Sequence, residues 1–157
     1  MNILDYLWQI ATNGILLAGL SAWVIAQVLK AITYLIVNKK FQLERLFGDG
    51  GMPSGHSATV TSVAVMSGLQ YGFNSGIFAV AAILAIVVMH DAMGVRLETG
   101  KQAKAINEMQ DFITKMGGKE LTDEEKLKEF VGHTPLQVVM GALLGIVVGI
   151  VVHILFG

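Results

Sequence analysis

Apolar residues fall in four long blocks along the chain. Gly14 to Val37 is interrupted only by Gln27 and Lys30 among strongly polar residues, and Thr134 to Gly157 only by Gln137 and His153. Between them, Ser57 to Phe73 is rich in Ala, Val, Ser and Thr, and Ile77 to Met89 is wholly apolar, its pattern continuing through His90 and Asp91 towards Val95. A helix crossing the hydrocarbon layer needs about 20 mostly apolar residues. The pattern therefore predicts an all-α membrane bundle of about four transmembrane helices, over 14–37, 57–73, 77–95 and 134–157. Tyr71 to Gly76 reads as the turn between the middle pair. Ile3, Leu4, Leu7, Trp8 and Ile10 recur close to helical spacing, which predicts a short N-terminal interfacial helix.

Two polar stretches, 38–52 and 97–132, connect the spans. The second predicts a helix from about Lys101 to Met116, a break at Gly117-Gly118, and a second short helix opened by the capping box Thr122-Asp123-Glu124-Glu125. With four spans these stretches share one side of the bilayer. All eleven Lys and Arg lie on that side or in the adjoining half of a span, which marks it as cytoplasmic. The small-residue stripes Gly14-Ala18-Ala22-Ala26 and Gly141-Gly145-Gly149 let helices approach closely within one bundle, and could also serve a homodimer.

Composition strengthens the membrane reading. The chain has 157 residues, enough for one domain, and is 54% hydrophobic and 15% charged; a soluble domain carries about 25% charged residues. The net charge of −1 implies no bulk attraction to nucleic acid, and the absence of Cys excludes disulfides and thiolate metal sites. Met1-Asn2-Ile3-Leu4-Asp5 lacks the basic start of a signal peptide, so the chain is read as mature.

Chemistry concentrates at two helix starts. Pro53-Ser54-Gly55-His56-Ser57-Ala58 opens the second span. Such a start is a natural anion site, because unpaired amides and the helix dipole face the ligand. Gly132-His133-Thr134-Pro135-Leu136-Gln137 opens the last span on the same side, with Thr134, Pro135 and Gln137 forming a capping signature. Lys30, Asp91 and Arg96 lie towards that side as well. Two imidazoles with two or three cations suit phosphoryl transfer: one His attacks phosphorus, the other protonates the leaving oxygen, and the cations hold the remaining oxygens. The competing arrangement is a metal site from His56, His90, Asp91 and His133; it lacks a well-placed second carboxylate.

These residues resemble the type 2 phosphatidic-acid phosphatase superfamily, which includes the vanadium haloperoxidases. Pro53-Ser54-Gly55-His56 matches its second motif. His133-x-x-x-Gln137-Val138-x-x-Gly141 matches the end of its third, with Gln137 in place of Asp. The closer resemblance is to a divergent branch, the acid phosphatase/vanadium-dependent haloperoxidase-related membrane proteins. Its blocks are matched by Lys30, Gly50 to Ser54, His56-Ser57-Ala58, Asp91-Ala92-x-Gly94-Val95-Arg96 and Gly100-Lys101-Gln102-Ala103. The resemblance implies His133 as nucleophile, His56 as general acid, and Ser54, Gly55 and Lys30 as phosphate ligands, with no cofactor or metal. The Arg-Pro of the first motif and the Arg of the third are absent; Arg45 and Arg96 are their nearest replacements, with Asp91, Ser57 and Lys101 in support. Gln137 can accept a hydrogen bond from His133, but lacks the charge to stabilise an imidazolium.

The expectation is a metal-independent lipid phosphatase working through a phosphohistidine, in a bacterial plasma membrane with its site on the cytoplasmic side. Phosphatidylglycerophosphate, phosphatidic acid and polyprenyl diphosphates are the substrates considered. The rival is a non-catalytic membrane protein that binds or transports a phosphorylated lipid.

Overall fold

The computed structural model describes residues 2–39, 51–119, 122, 125–129 and 131–157. Its regular elements are all helices: α1 (Ile3–Ala11), α2 (Gly14–Asn38), α3 (Gly55–Tyr71), α4 (Gly76–Met93), α5 (Val95–Lys115) and α6 (Pro135–Phe156). Side-chain caps set several starts. Asn13 accepts from the Ile15 and Leu16 amides, Ser54 from Ser57, Ser75 from Phe78, and Thr134 from Gln137. Each cap satisfies amides that the first helical turn leaves without intrahelical partners.

The core is built of small residues and the outside of large ones. Ala18, Ala22, Ala26 and Ala58 are fully buried, whereas Leu20, Val80, Ile83, Val147 and Ile154 are exposed. This inversion of a soluble protein's plan is what lipid as solvent calls for: large apolar side chains face the chains of the bilayer, and small residues let backbones meet. Among the described residues, three helices are long and apolar enough to cross a membrane, within Gly14–Ile36, Gly76–Lys115 and Pro135–Phe156. The fourth predicted span, α3, has 17 residues. At 1.5 Å per residue that is about 26 Å, just short of a hydrocarbon layer about 30 Å thick.

The lower hydropathy of α3 follows from its place. It is the central helix, packed on α2, α4 and α6, while α2 and α4 do not pack on each other. Ser57, Ser62 and Ser67 are buried on it, and the Ser62 hydroxyl donates to the Ala18 carbonyl across the α2 contact. α6 runs parallel to α3: Gly141 lies against Ser54 and Ser57, Gly145 against Ala58 and Thr61, and Gly149 against Val65. A Cβ at Gly141 or Gly145 would collide with an α3 carbonyl oxygen. The Gly/Ala stripes are thus filled from within the chain, and a homodimer, for which they were candidates, would need another surface.

Two local expectations change. The helix of the polar stretch starts at Val95 rather than near Lys101, because Gly94, at φ −100 and ψ −97, interrupts the helix for a single residue before it resumes. The second short helix is not found among the described residues of 122–129. The Thr122 amide and hydroxyl do donate to the Glu125 carboxylate, at 2.9 and 3.2 Å. The chain is then drawn away by α5. Asn107 takes both the amide and the carbonyl of Leu127, at 3.1 and 2.9 Å, and also donates to Glu129 at 2.9 Å.

Candidate functional site

The helix directions bring the end of α2, the starts of α3 and α6 and the end of α4 to one end of the bundle. At the start of α3, Ser54 is fully buried and its amide donates to the Gln137 carbonyl at 3.0 Å, tying the first turns of α3 and α6 together. The Ser57 hydroxyl donates to the Ser54 hydroxyl oxygen at 3.0 Å. At the start of α6, His133 is 2% exposed and its amide donates to the Ala92 carbonyl at 3.0 Å. The main chain at His133 is therefore tied to the end of α4. The two imidazoles face each other edge-on, His56 to His133, with centroids 6.1 Å apart and planes at 61°.

Gln137 connects helix capping to the His pair. Its Oε1 accepts from the Thr134 amide at 3.0 Å and lies 3.3 Å from His133 Nδ1. A backbone N–H can only donate, so the oxygen rather than the NH2 group of Gln137 is the atom at this junction. Nδ1 of His133 must then carry its proton to bond with it. A neutral ring protonated there has its lone pair on Nε2.

Lys30 is 5% exposed, with its stem against Gly51. A Cβ on Gly51 would stand 2.9 Å from Lys30 Cγ, and φ is +103°, so both space and conformation require glycine. This brings a buried cation beside the segment entering α3, the Gly51-to-Ser54 part of the candidate anion site. Gly55 lies near Trp23 and Gln27 of α2.

Other predicted residues are engaged elsewhere. Arg96 donates through Nε to Asp91 at 2.6 Å, both side chains being more than two-fifths exposed. Lys101 pairs with Glu98 at 2.7 Å on the exposed surface of α5. Arg45 lies outside the described residues. His90 is exposed in the last turn of α4, and among the described residues no group of three His, Asp or Glu side chains converges as a metal site needs.

Sequence reasoning missed the supports of His133. Asn107, Gly100 and Gly132 hold the returning segment against α5: a Cβ at Gly100 would meet the Glu129 and Val131 backbone, and one at Gly132 the backbone of Arg96 and Leu97. The signal was present as Gly100-Ala103-Asn107, one helical face of small or amide residues beside a charged face of the same helix.

Residues 11–148 match the family described as the Divergent PAP2 family. The chain is similar to a Bacillus subtilis (strain 168) protein named "Uncharacterized membrane protein YuiD", 40% identical over 159 residues that cover 94% of this chain and 99% of that protein. No solved structure matches the chain.

Proposed function

The chain belongs to the Divergent PAP2 family, and on that premise we propose that it hydrolyses the phosphate or diphosphate of a membrane lipid through a phosphohistidine on His133. The observation that carries this reading is the His56–His133 pair, 6.1 Å apart at the starts of two helices. That spacing lets both imidazoles reach one phosphoryl group. Nε2 of His133 attacks phosphorus as the bond to the lipid oxygen breaks, and His56 supplies the proton that oxygen takes up. Water, giving its proton back to His56, then cleaves the P–N bond and releases inorganic phosphate. Lys30 and the start of α3 offset the charge on the phosphoryl oxygens.

A dianionic phosphate can also compete for Arg96, because an exposed ion pair such as Arg96–Asp91 contributes only about 0–1 kcal/mol. An apolar groove of about 460 Å3, lined by Ile15, Val63, Ile77, Val80 and Leu84 among others, lies between the first halves of α2 and α4, towards the end of the bundle away from the His pair. The arrangement of Lys and Arg supports a site open to the cytoplasmic leaflet of a bacterial plasma membrane, where phosphatidic acid and phosphatidylglycerophosphate are exposed.

The neutral Gln137 favours one rival, a protein that binds or moves a phosphorylated lipid without cleaving it. Phosphate release from a lipid panel separates the two, with wild type, His56→Ala and His133→Ala each assayed with and without EDTA and vanadate. We expect turnover that resists EDTA, is inhibited by vanadate, and falls at least a hundredfold in either variant. Turnover unaffected by losing His133 sinks the phosphohistidine, loss in EDTA points to a metal, and binding without turnover favours the rival.

A further inference from the structure

Helix α5 divides into three faces. Gly100, Ala103 and Asn107 are buried against the returning segment at Leu127 to Val131. Lys104, Glu108, Asp111 and Lys115 share a second face, at helical spacings of four, three and four. The third carries Ile106, Met109, Ile113 and Met116, which are 52, 64, 43 and 74% exposed. A stripe of large apolar residues three turns long, beside a charged face, is unstable in water and is the pattern of a helix lying in a membrane interface.

Two observations identify what covers it. α4 is a membrane-spanning helix by length and composition, and only Gly94 separates its end from α5. The charged groups of α5 sum in favour of cations, with Arg96, Lys101, Lys104 and Lys115 against Glu98, Glu108 and Asp111. Glu98 and Glu108 lie within ion-pair range of Lys101 and Lys104. Long Lys stems beside an apolar stripe reach back to lipid phosphates while their methylenes stay on the apolar side. We propose that α5 rests on an anionic leaflet, its stripe sunk among the head groups at the end of the bundle that holds the His pair. The buried face of α5, Gly100, Ala103 and Asn107, holds the segment that leads to His133, so the depth of α5 sets the height of His133 over the lipid head groups. The proposal stands whether or not the site hydrolyses its ligand.

The chain has no cysteine, so single cysteines can be spin-labelled without background. Labels at Ile106, Met109 and Ile113 on the stripe, and at Lys104 and Glu108 on the charged face, sit on exposed positions that leave the fold intact. The full chain is placed in nanodiscs of phosphatidylcholine and phosphatidylglycerol, and collisions with oxygen and with a water-soluble nickel chelate are measured. We expect the three stripe labels to favour oxygen severalfold over nickel, and the two charged-face labels the reverse. Stripe labels reached mainly by nickel would put the stripe in water and overturn the proposal. Stripe labels shielded from both reagents would overturn it as well, in favour of a second copy of the chain as the cover.

Discussion

At the residue scale, Gln137 has two duties that a substitution can separate. Its side chain closes the capping box of α6 and its oxygen faces Nδ1 of His133. Replacing it with Leu removes both. Losing the acceptor for His133 costs about 1–1.5 kcal/mol, so kcat for phosphate release is expected to fall roughly tenfold. Glu in its place keeps the capping box, for which it is a standard third residue, and adds the carboxylate of the wider superfamily; kcat should equal or exceed that of wild type. Thr134→Ala loses the cap alone, about 1 kcal/mol of stability, and is expected to lower Tm with kcat nearly intact. If Gln137→Leu and Thr134→Ala behave alike, Gln137 is a capping residue and no more.

At the element scale, the parallel contact of α3 and α6 builds the site, and Gly141 is the close-packed glycine facing the start of α3. A Cβ there would overlap the Ser54 carbonyl oxygen and come within 2.9 Å of Ser57 Cβ. Gly141→Ala must push α6 from the start of α3, at about 1–3 kcal/mol for forced overpacking. Thermal unfolding in detergent should show a lower Tm, and activity should fall further than Tm alone predicts, because the displaced turn carries Ser54. Gly76→Ala is the control: nothing stands within 4 Å of a Cβ at that helix start, and its effect should stay within about 0.5 kcal/mol. Equal effects of the two substitutions would remove the close α3–α6 approach from the explanation.

At the scale of the whole molecule, the bundle has one chemically equipped end. Lys30, His56 and His133 gather there, while the α3–α4 turn around Asn74 is at the other. In intact bacterial cells, single cysteines at Asn74 and Lys119 are expected to react oppositely with an impermeant maleimide: Asn74→Cys from outside, Lys119→Cys only after lysis. Labelling of Lys119→Cys in intact cells would reverse the orientation and move the site to the outer leaflet, where a polyprenyl diphosphate becomes the better substrate.

Membrane membership, the all-α class and the capped starts of α3 and α6 were legible in the sequence, because each depends on local pattern: apolar length for a span, residue type at a few adjacent positions for a cap. The His motifs were legible for the same reason. What a linear pattern does not carry is which helix faces which. The central place of α3, its serines facing α2 and α6 rather than lipid, depends on close contacts between residues 44 to 87 apart in the chain. Asn107 holding the segment that leads to His133, and Asp91 engaging Arg96, are likewise products of the fold. The sequence alone determined that two histidines stand at the starts of two helices; only the tertiary structure brought their ring centroids to 6.1 Å, because the parallel contact of α3 and α6 sets Gly141 against Ser54 and Ser57 at the start of α3.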